Sequence, residues 1–140
     1  MLFSHILVPY DGSELAEKSL EKAIDFANLD PDTKITVLHV VEFPPKTYQY
    51  DFYDKIKESI LEDAEKTLRP AKFDLGQIPN SSEVIIKEGL SYKVILEAAN
   101  ERQCDLIIMG SRGLSGIKEF LGSVSHTVTQ QADIPVLLMK

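Results

Sequence analysis

Four of the seven glycines in this 140-residue chain fall between positions 110 and 122, in Gly110-Ser111-Arg112-Gly113-Leu114-Ser115-Gly116 and then Gly122-Ser123-Val124-Ser125. Glycine admits positive φ and lets backbone N–H groups approach a ligand with no Cβ in between. A helix opening near Gly122-Ser123 would add unpaired N–H groups and the positive end of its dipole. Both features suit a phosphate group. The same glycines would equally serve a tight strand-to-helix turn, and their spacing alone does not choose between the two. Two common phosphate loops are excluded: no glycine is followed by lysine, and positions 110, 113 and 116 read G-x-x-G-x-x-G rather than G-x-G-x-x-G.

The remaining reactive side chains are sparse. Ser123 and His126 are three apart on a helix, but no G-x-S-x-G turn surrounds the serine, so exposed or capping roles are expected. His5, His39 and His126 are too scattered for a metal motif, and His39, inside an apolar run, reads as a hydrogen-bonded core residue. Cys104 is the single cysteine, which excludes an intramolecular disulfide and any cysteine metal cluster; its place at the start of an apolar run predicts a buried, inert thiol. Tyr48, Tyr50, Phe52 and Tyr53 form an aromatic stretch that either packs a long loop on the fold or serves as a lid or partner surface.

These residues need a frame to hold them. Apolar runs at Ser4–Val8, Lys34–Val41, Glu83–Lys87, Asp105–Met109 and Val136–Met139 are rich in Ile, Val and Leu with little polar alternation, as strands covered on both faces are. Between them lie segments of helical period. Ala16, Leu20, Ala23, Ile24 and Ala27 make one stripe, and Ile56, Ile60, Leu61, Ala64 and Leu68 make a second that should end before Pro70. Val94, Ile95, Ala98 and Ala99 make a third behind Ser91 as expected N-cap, and Leu121, Val124 and Val128 a fourth that stops before Pro135. Five strands alternating with four helices predict an α/β fold, a doubly wound open parallel sheet in a single domain. Its ligand crevice should lie beyond the carboxyl ends of the strands, on the loops that begin at Pro9, Val41 and Gly110. Glu58, Glu62, Asp63, Glu65 and Lys66 read as a solvated helix face.

Fifteen Lys and Arg against 22 Asp and Glu give a net charge of −7 with no basic run. Nucleic acid is therefore an unfavourable partner. No membrane-spanning run or secretory leader is visible, and a cytoplasmic protein is expected.

Taken together, the motifs resemble the universal stress protein family. The likeness covers nearly the whole chain: Ile6-Leu7-Val8-Pro9-Tyr10-Asp11-Gly12-Ser13 is similar to the family's first strand and acidic turn, Leu38-His39-Val40 to the end of its second strand, and Asp105 to Gly113 and Pro135 to Met139 to its last two. The family pattern G-x-x-G, nine residues, then Gly-Ser or Gly-Thr is matched by Gly110, Gly113, Gly122 and Ser123, with a spacer of eight. The resemblance implies a Rossmann-like fold of the adenine nucleotide alpha hydrolase type with strand order 3-2-1-4-5 and two helices on each face. It further implies an adenine nucleotide site. Asp11 and the backbone around Pro9 and Val40 would hold base and ribose, with Met109 and Gly110 beside them, while Gly113, Gly122, Ser123, Val124 and Ser125 would receive the phosphates of ATP. If the missing spacer residue comes from the outer bend, these donors keep their places; if it shifts the last helix, the site is spoiled. The retained glycines and hydroxyls favour the first.

A polyanion meeting a net negative chain needs Mg²⁺ or a local cation, for which Arg112 and Lys118 are the candidates. Asp11 and Glu119 are the only acids expected near the phosphates, too few parts for phosphoryl transfer, so no catalytic residue and no resident metal site are assigned. The last strand, apolar on both faces yet at a sheet edge, predicts an antiparallel homodimer along Val136–Met139, which the resemblance also implies. The expected function is an ATP-binding, nucleotide-responsive stress protein. The alternatives are a relative that acts only by binding a protein partner, and a slow ATPase or nucleotide-dependent transferase.

Overall fold

The computed structural model describes residues 2–46, 50–113 and 121–140, with the backbone alone for Tyr50 and Asp51. Five strands alternate with four helices: β1 (His5–Pro9), α1 (Glu14–Leu29), β2 (Lys34–Val41), α2 (Tyr50–Leu75), β3 (Ser82–Glu88), α3 (Ser91–Glu101), β4 (Leu106–Gly110), α4 (Ser123–Gln131) and β5 (Val136–Met139). All strands are parallel in the order β3-β2-β1-β4-β5. The central strands are β1, β2 and β4, whose Ile6, Leu7, Val8, Ile35, Val37, Leu38, Ile107 and Ile108 are fully buried. Their lack of polar alternation follows from this burial on both faces.

Each face carries one pair of helices. On one, Ala16, Leu20, Ala23 and Ala27 of α1 and Leu68, Ala71 and Leu75 of α2 pack against Ile6, Val8 and Ile108. On the other, Val94, Ile95, Ala98 and Ala99 of α3 and Val128 of α4 pack against Leu7, Leu38 and Ile107. The side chains of Glu58, Glu62, Asp63, Glu65 and Lys66 face solvent as expected.

Three local expectations are corrected. First, α2 does not end before Pro70 but runs through it to Leu75. The proline is exposed, while Ala64, Leu68, Ala71 and Leu75 continue the buried stripe on both sides of it. That packing outweighs the ~3 kcal/mol helix cost of an interior proline. Second, Ser91 is not the cap of α3 but its first residue; Leu90 is the N-cap and makes no side-chain capping bond. Third, Leu121 lies outside α4 and is 41% exposed.

The amino end of the sheet is tied by polar groups. The Asp105 carboxylate accepts from the N–H groups of Ser4 and His5 and from the Ser4 hydroxyl. His5 Nε2 lies 2.8 Å from Thr36 Oγ1, and Glu83 accepts from Thr36 and Arg102. The opposite, carboxyl end is where the chain leaves room.

Candidate functional site

A cleft of about 320 Å³ opens at the carboxyl ends of β1, β2 and β4, near the lower bound of the ~300–1,000 Å³ range typical of ligand sites. The structure brings to it every residue that the resemblance singled out, Pro9, Asp11, Val40, Met109, Gly110, Gly113, Gly122, Ser123, Val124 and Ser125, together with Arg112, expected there as a local cation. Tyr10, Ser13, Ala16, Leu38, His39, Ser91 and Ile95 complete the lining. Tyr10, Ser13 and His39 are chain neighbours of the singled-out residues, a signal available in the sequence. Ser91 and Ile95 arrive only through the packing of α3.

The turn after β1 is held on both sides. The Tyr10 N–H donates to the Leu38 carbonyl at 2.8 Å, and His39 Nδ1 lies 2.7 Å from the Tyr10 carbonyl. A carbonyl can only accept, so Nδ1 carries the hydrogen of that bond. His39 is thus hydrogen-bonded as expected, but half-buried at the cleft wall rather than in the core. Gly12 then turns with φ +82°, a conformation that favours glycine. The Ser13 N–H donates to Asp11 Oδ1 at 3.0 Å, and Ser13 Oγ accepts from the Ala16 N–H at 3.1 Å as the cap of α1. These bonds fix the Asp11 carboxylate over the glycine loop: a Cβ on Gly113 would lie 3.1 Å from Asp11 Oδ2.

Among the described residues, the β2 ladder leaves a donor and an acceptor unused. Leu38 directs its carbonyl toward β1, where Tyr10 takes it, and β1–β2 pairing ends at Pro9↔Leu38. Two residues on, Val40 presents its N–H and C=O to the same side. The first strand has turned away by then, so this peptide pair faces the cleft.

The start of α4 forms the far wall. Gly122 is its N-cap with φ −65° and ψ 156°, without a side-chain capping bond. The first intrahelical bond runs from the His126 N–H to the Gly122 carbonyl. The N–H groups of Ser123, Val124 and Ser125 therefore have no partner inside the helix. One oxygen anchors this arrangement: the Ser111 carbonyl accepts from the Gly122 N–H at 2.7 Å and from Ser125 Oγ at 2.8 Å. Ser125 is 2% exposed and its hydroxyl is engaged here, with the Gly122 carbonyl at 3.0 Å, so only its N–H is left to meet a ligand. With eight residues between Gly113 and Gly122, both glycines still line the cleft and α4 still opens at Ser123.

Asp11 and Arg112 are the only Asp, Glu, Lys or Arg residues among the described lining. Burial, followed by the charges of Glu17, Asp74 and Asp11, pushes the Tyr10 phenol above its ordinary range, so it stays neutral. Ser123 and His126 are both exposed, and no bond joins them among the described residues. Gly116, Lys118, Glu119 and Tyr48 lie outside the described residues, as does the side chain of Tyr50. Phe52 is exposed and Tyr53 half-buried on the first turn of α2. Among the described residues no group of three or more His, Cys, Asp or Glu is gathered as a metal site, and no helix is long and apolar enough to cross a membrane.

The profile of the Universal stress protein family matches residues 2–140. Universal stress protein YxiE of Bacillus subtilis is 32% identical over 153 aligned residues, covering 99% of this chain and 100% of that protein. The solved structure of protein MJ0577, from Methanocaldococcus jannaschii, superposes with a TM-score of 0.87 at 30% identity, over 100% of this chain and 97% of that one. A universal stress protein family protein from Arabidopsis thaliana, solved with AMP bound, superposes with a TM-score of 0.72 over 98% and 91% of the two chains. At 21% identity that last likeness establishes the fold alone.

Proposed function

The chain belongs to the universal stress protein family, and from that premise we propose that its cleft binds an adenine nucleotide, ATP with Mg²⁺, and that occupancy is the signal this protein gives in the cytoplasm during stress. One observation carries the reading: the Val40 peptide pair at one end of the cleft and the three helix amides at the other are separated by Asp11. A base edge, a ribose and a phosphate chain need donors and acceptors in that order. The AMP found in the Arabidopsis protein is consistent with a cleft of this fold serving such ligands.

Three or four hydrogen bonds to charged oxygens contribute ~1.5–3 kcal/mol each against an association cost of ~4–15 kcal/mol. Phosphate contacts alone therefore give weak binding, and the apolar base end must add to them for ATP to be held well. Asp11 and Arg112 give one carboxylate and one cation near the glycines. Of these, Asp11 alone offers an oxygen that could ligate Mg²⁺, whose remaining shell would be phosphate oxygen and water, while the Arg112 cation would face the phosphates directly. Reversible binding follows from the modest balance.

The rival reading, a relative without nucleotide that acts through protein contacts alone, drew its support from the short spacer. Against it stands the helix start, which remains at Ser123. The test is direct. Denaturing the purified protein should release an adenine nucleotide, and calorimetry with Mg-ATP should show saturable binding that Gly113→Ala weakens, since its Cβ would press on Asp11. Absence of binding by the wild-type protein rejects the proposal. We further propose a homodimer: β5 pairs only with β4, and Leu137 is 37% exposed, so a second copy can pair antiparallel along Val136–Met139. A monomeric mass by light scattering rejects that part.

A further inference from the structure

Beyond the residues that the resemblance singles out, Ser91 lines the cleft from the start of α3, the helix that also brings Ile95 to it and that packs on β2, which supplies Leu38 and Val40. It is half-buried, and among the described residues its hydroxyl has no hydrogen-bond partner. A serine ahead of a helix ordinarily spends its hydroxyl on capping. Here that role is vacated, because Leu90 is the cap and Ser91 is the first helical residue. The position is also well fixed. The Gly89 N–H donates to the Val41 carbonyl at 3.0 Å, which ties the start of α3 to the end of β2. Gly89 itself sits at φ +146°, where a Cβ would come within 2.8 Å of Val94 Cγ2. Ser91 is thereby held across from the strand end whose Val40 peptide group faces the cleft.

We propose that Ser91 is a base-contacting residue of this site, its hydroxyl donating a hydrogen bond to a ring nitrogen of the adenine while Val40 supplies the backbone pair. The inference rests on the nucleotide reading above. Of the four side chains at this end, those of Leu38, Val40 and Ile95 offer only apolar contact, which would accept any flat ring of the right size. A fixed hydroxyl adds a directional contact, and a site built to hydrogen-bond one group discriminates against a ligand that lacks it. The phosphate contacts lie at α4 and the glycine loop, so the hydroxyl at 91 should matter for the base and not for the phosphate chain.

The experiment uses the full chain and two probes, Mg-ATP by calorimetric titration and tripolyphosphate as a competitor that has no base. Ser91→Ala should weaken Mg-ATP roughly three- to tenfold, the net worth of one neutral hydrogen bond, and leave the tripolyphosphate inhibition constant unchanged. Ser91→Thr, which keeps the hydroxyl, should restore most of the loss. Equal weakening of both probes overturns the proposal, because it would mean that residue 91 acts through the placement of α3. Unchanged Mg-ATP affinity in Ser91→Ala overturns it as well. Failure of the wild-type protein to bind Mg-ATP at all removes the nucleotide reading and this inference with it, and is separately visible.

Discussion

If the amides at the start of α4 are what hold a phosphate, one of them can be deleted without disturbing the helix. Residue 123 is the first position of α4, where the N–H has no intrahelical partner and proline's fixed φ suits the helix. The residue before a proline must be extended, and Gly122 already is, with ψ 156°. Ser123→Pro should therefore fold normally, its stability within about 1 kcal/mol of the wild type. It removes one donor to a charged oxygen, a loss of ~1.5–3 kcal/mol, or roughly tenfold to somewhat over a hundredfold in Mg-ATP affinity. Ser123→Ala is the control: it deletes the exposed hydroxyl, keeps the amide, and should fall well short of the proline variant. Calorimetric titration and urea denaturation of all three proteins make the comparison. A proline variant of normal stability that binds Mg-ATP like the wild type would refute the reasoning, since the amide it lacks was assigned to the phosphates.

Three further outcomes follow from the geometry. Gly122→Ala brings a Cβ to 3.2 Å from Arg112 Cα, a backbone atom that must give way by a few tenths of an ångström; urea denaturation should show a loss of about 1–2 kcal/mol, together with weaker nucleotide binding. Burial of the His5 ring lowers its pKa below 6.5 despite the opposing pull of the Arg102 backbone and Glu83, so the unfolded chain binds the proton more tightly. That stabilising contribution is whole above pH 6.5 and is lost as pH falls through the folded value; the urea midpoint of His5→Gln should drop less than that of the wild type between about pH 7 and about pH 5. Glu83, held below 4.5 chiefly by Arg102, and Asp105, where the Ser4 and His5 hydrogen bonds outweigh burial to hold it below 3.8, lose their contributions only in stronger acid. Cys104 is buried and its thiol pushed up to about 11, so a disulfide reagent at mildly alkaline pH should label it only after unfolding; rapid labelling of the native protein would contradict its packing in the cluster formed by α3 and β4.

The strands were legible because burial on both faces leaves a compositional mark, visible in Ile35 to Val41 or Leu106 to Met109 without any knowledge of neighbours. Helix ends were less so. Pro70 is a local stop signal, but the stripe of Ala64, Leu68, Ala71 and Leu75 passes through it, and only the sheet beneath decides which wins. Ser91 misled for the same reason: serine suits a cap, and nothing in the sequence shows that the chain enters α3 one residue earlier. The glycine loop could be picked out by spacing and Asp11 through the family resemblance, yet the proximity of Asp11 to Gly113, more than a hundred positions apart in sequence, is a product of the strand order. The buried role of the Ser125 hydroxyl was beyond reach, because in sequence a donor to ligand and a donor to the protein's own carbonyl look alike.

That last hydroxyl has a consequence for variation in this chain. The Ser111 oxygen, gripped by Gly122 and Ser125, ties the chain just after β4 to the start of α4. Because one oxygen serves both, loss of the Ser125 hydroxyl should loosen the end of the fourth strand and the mouth of the last helix together.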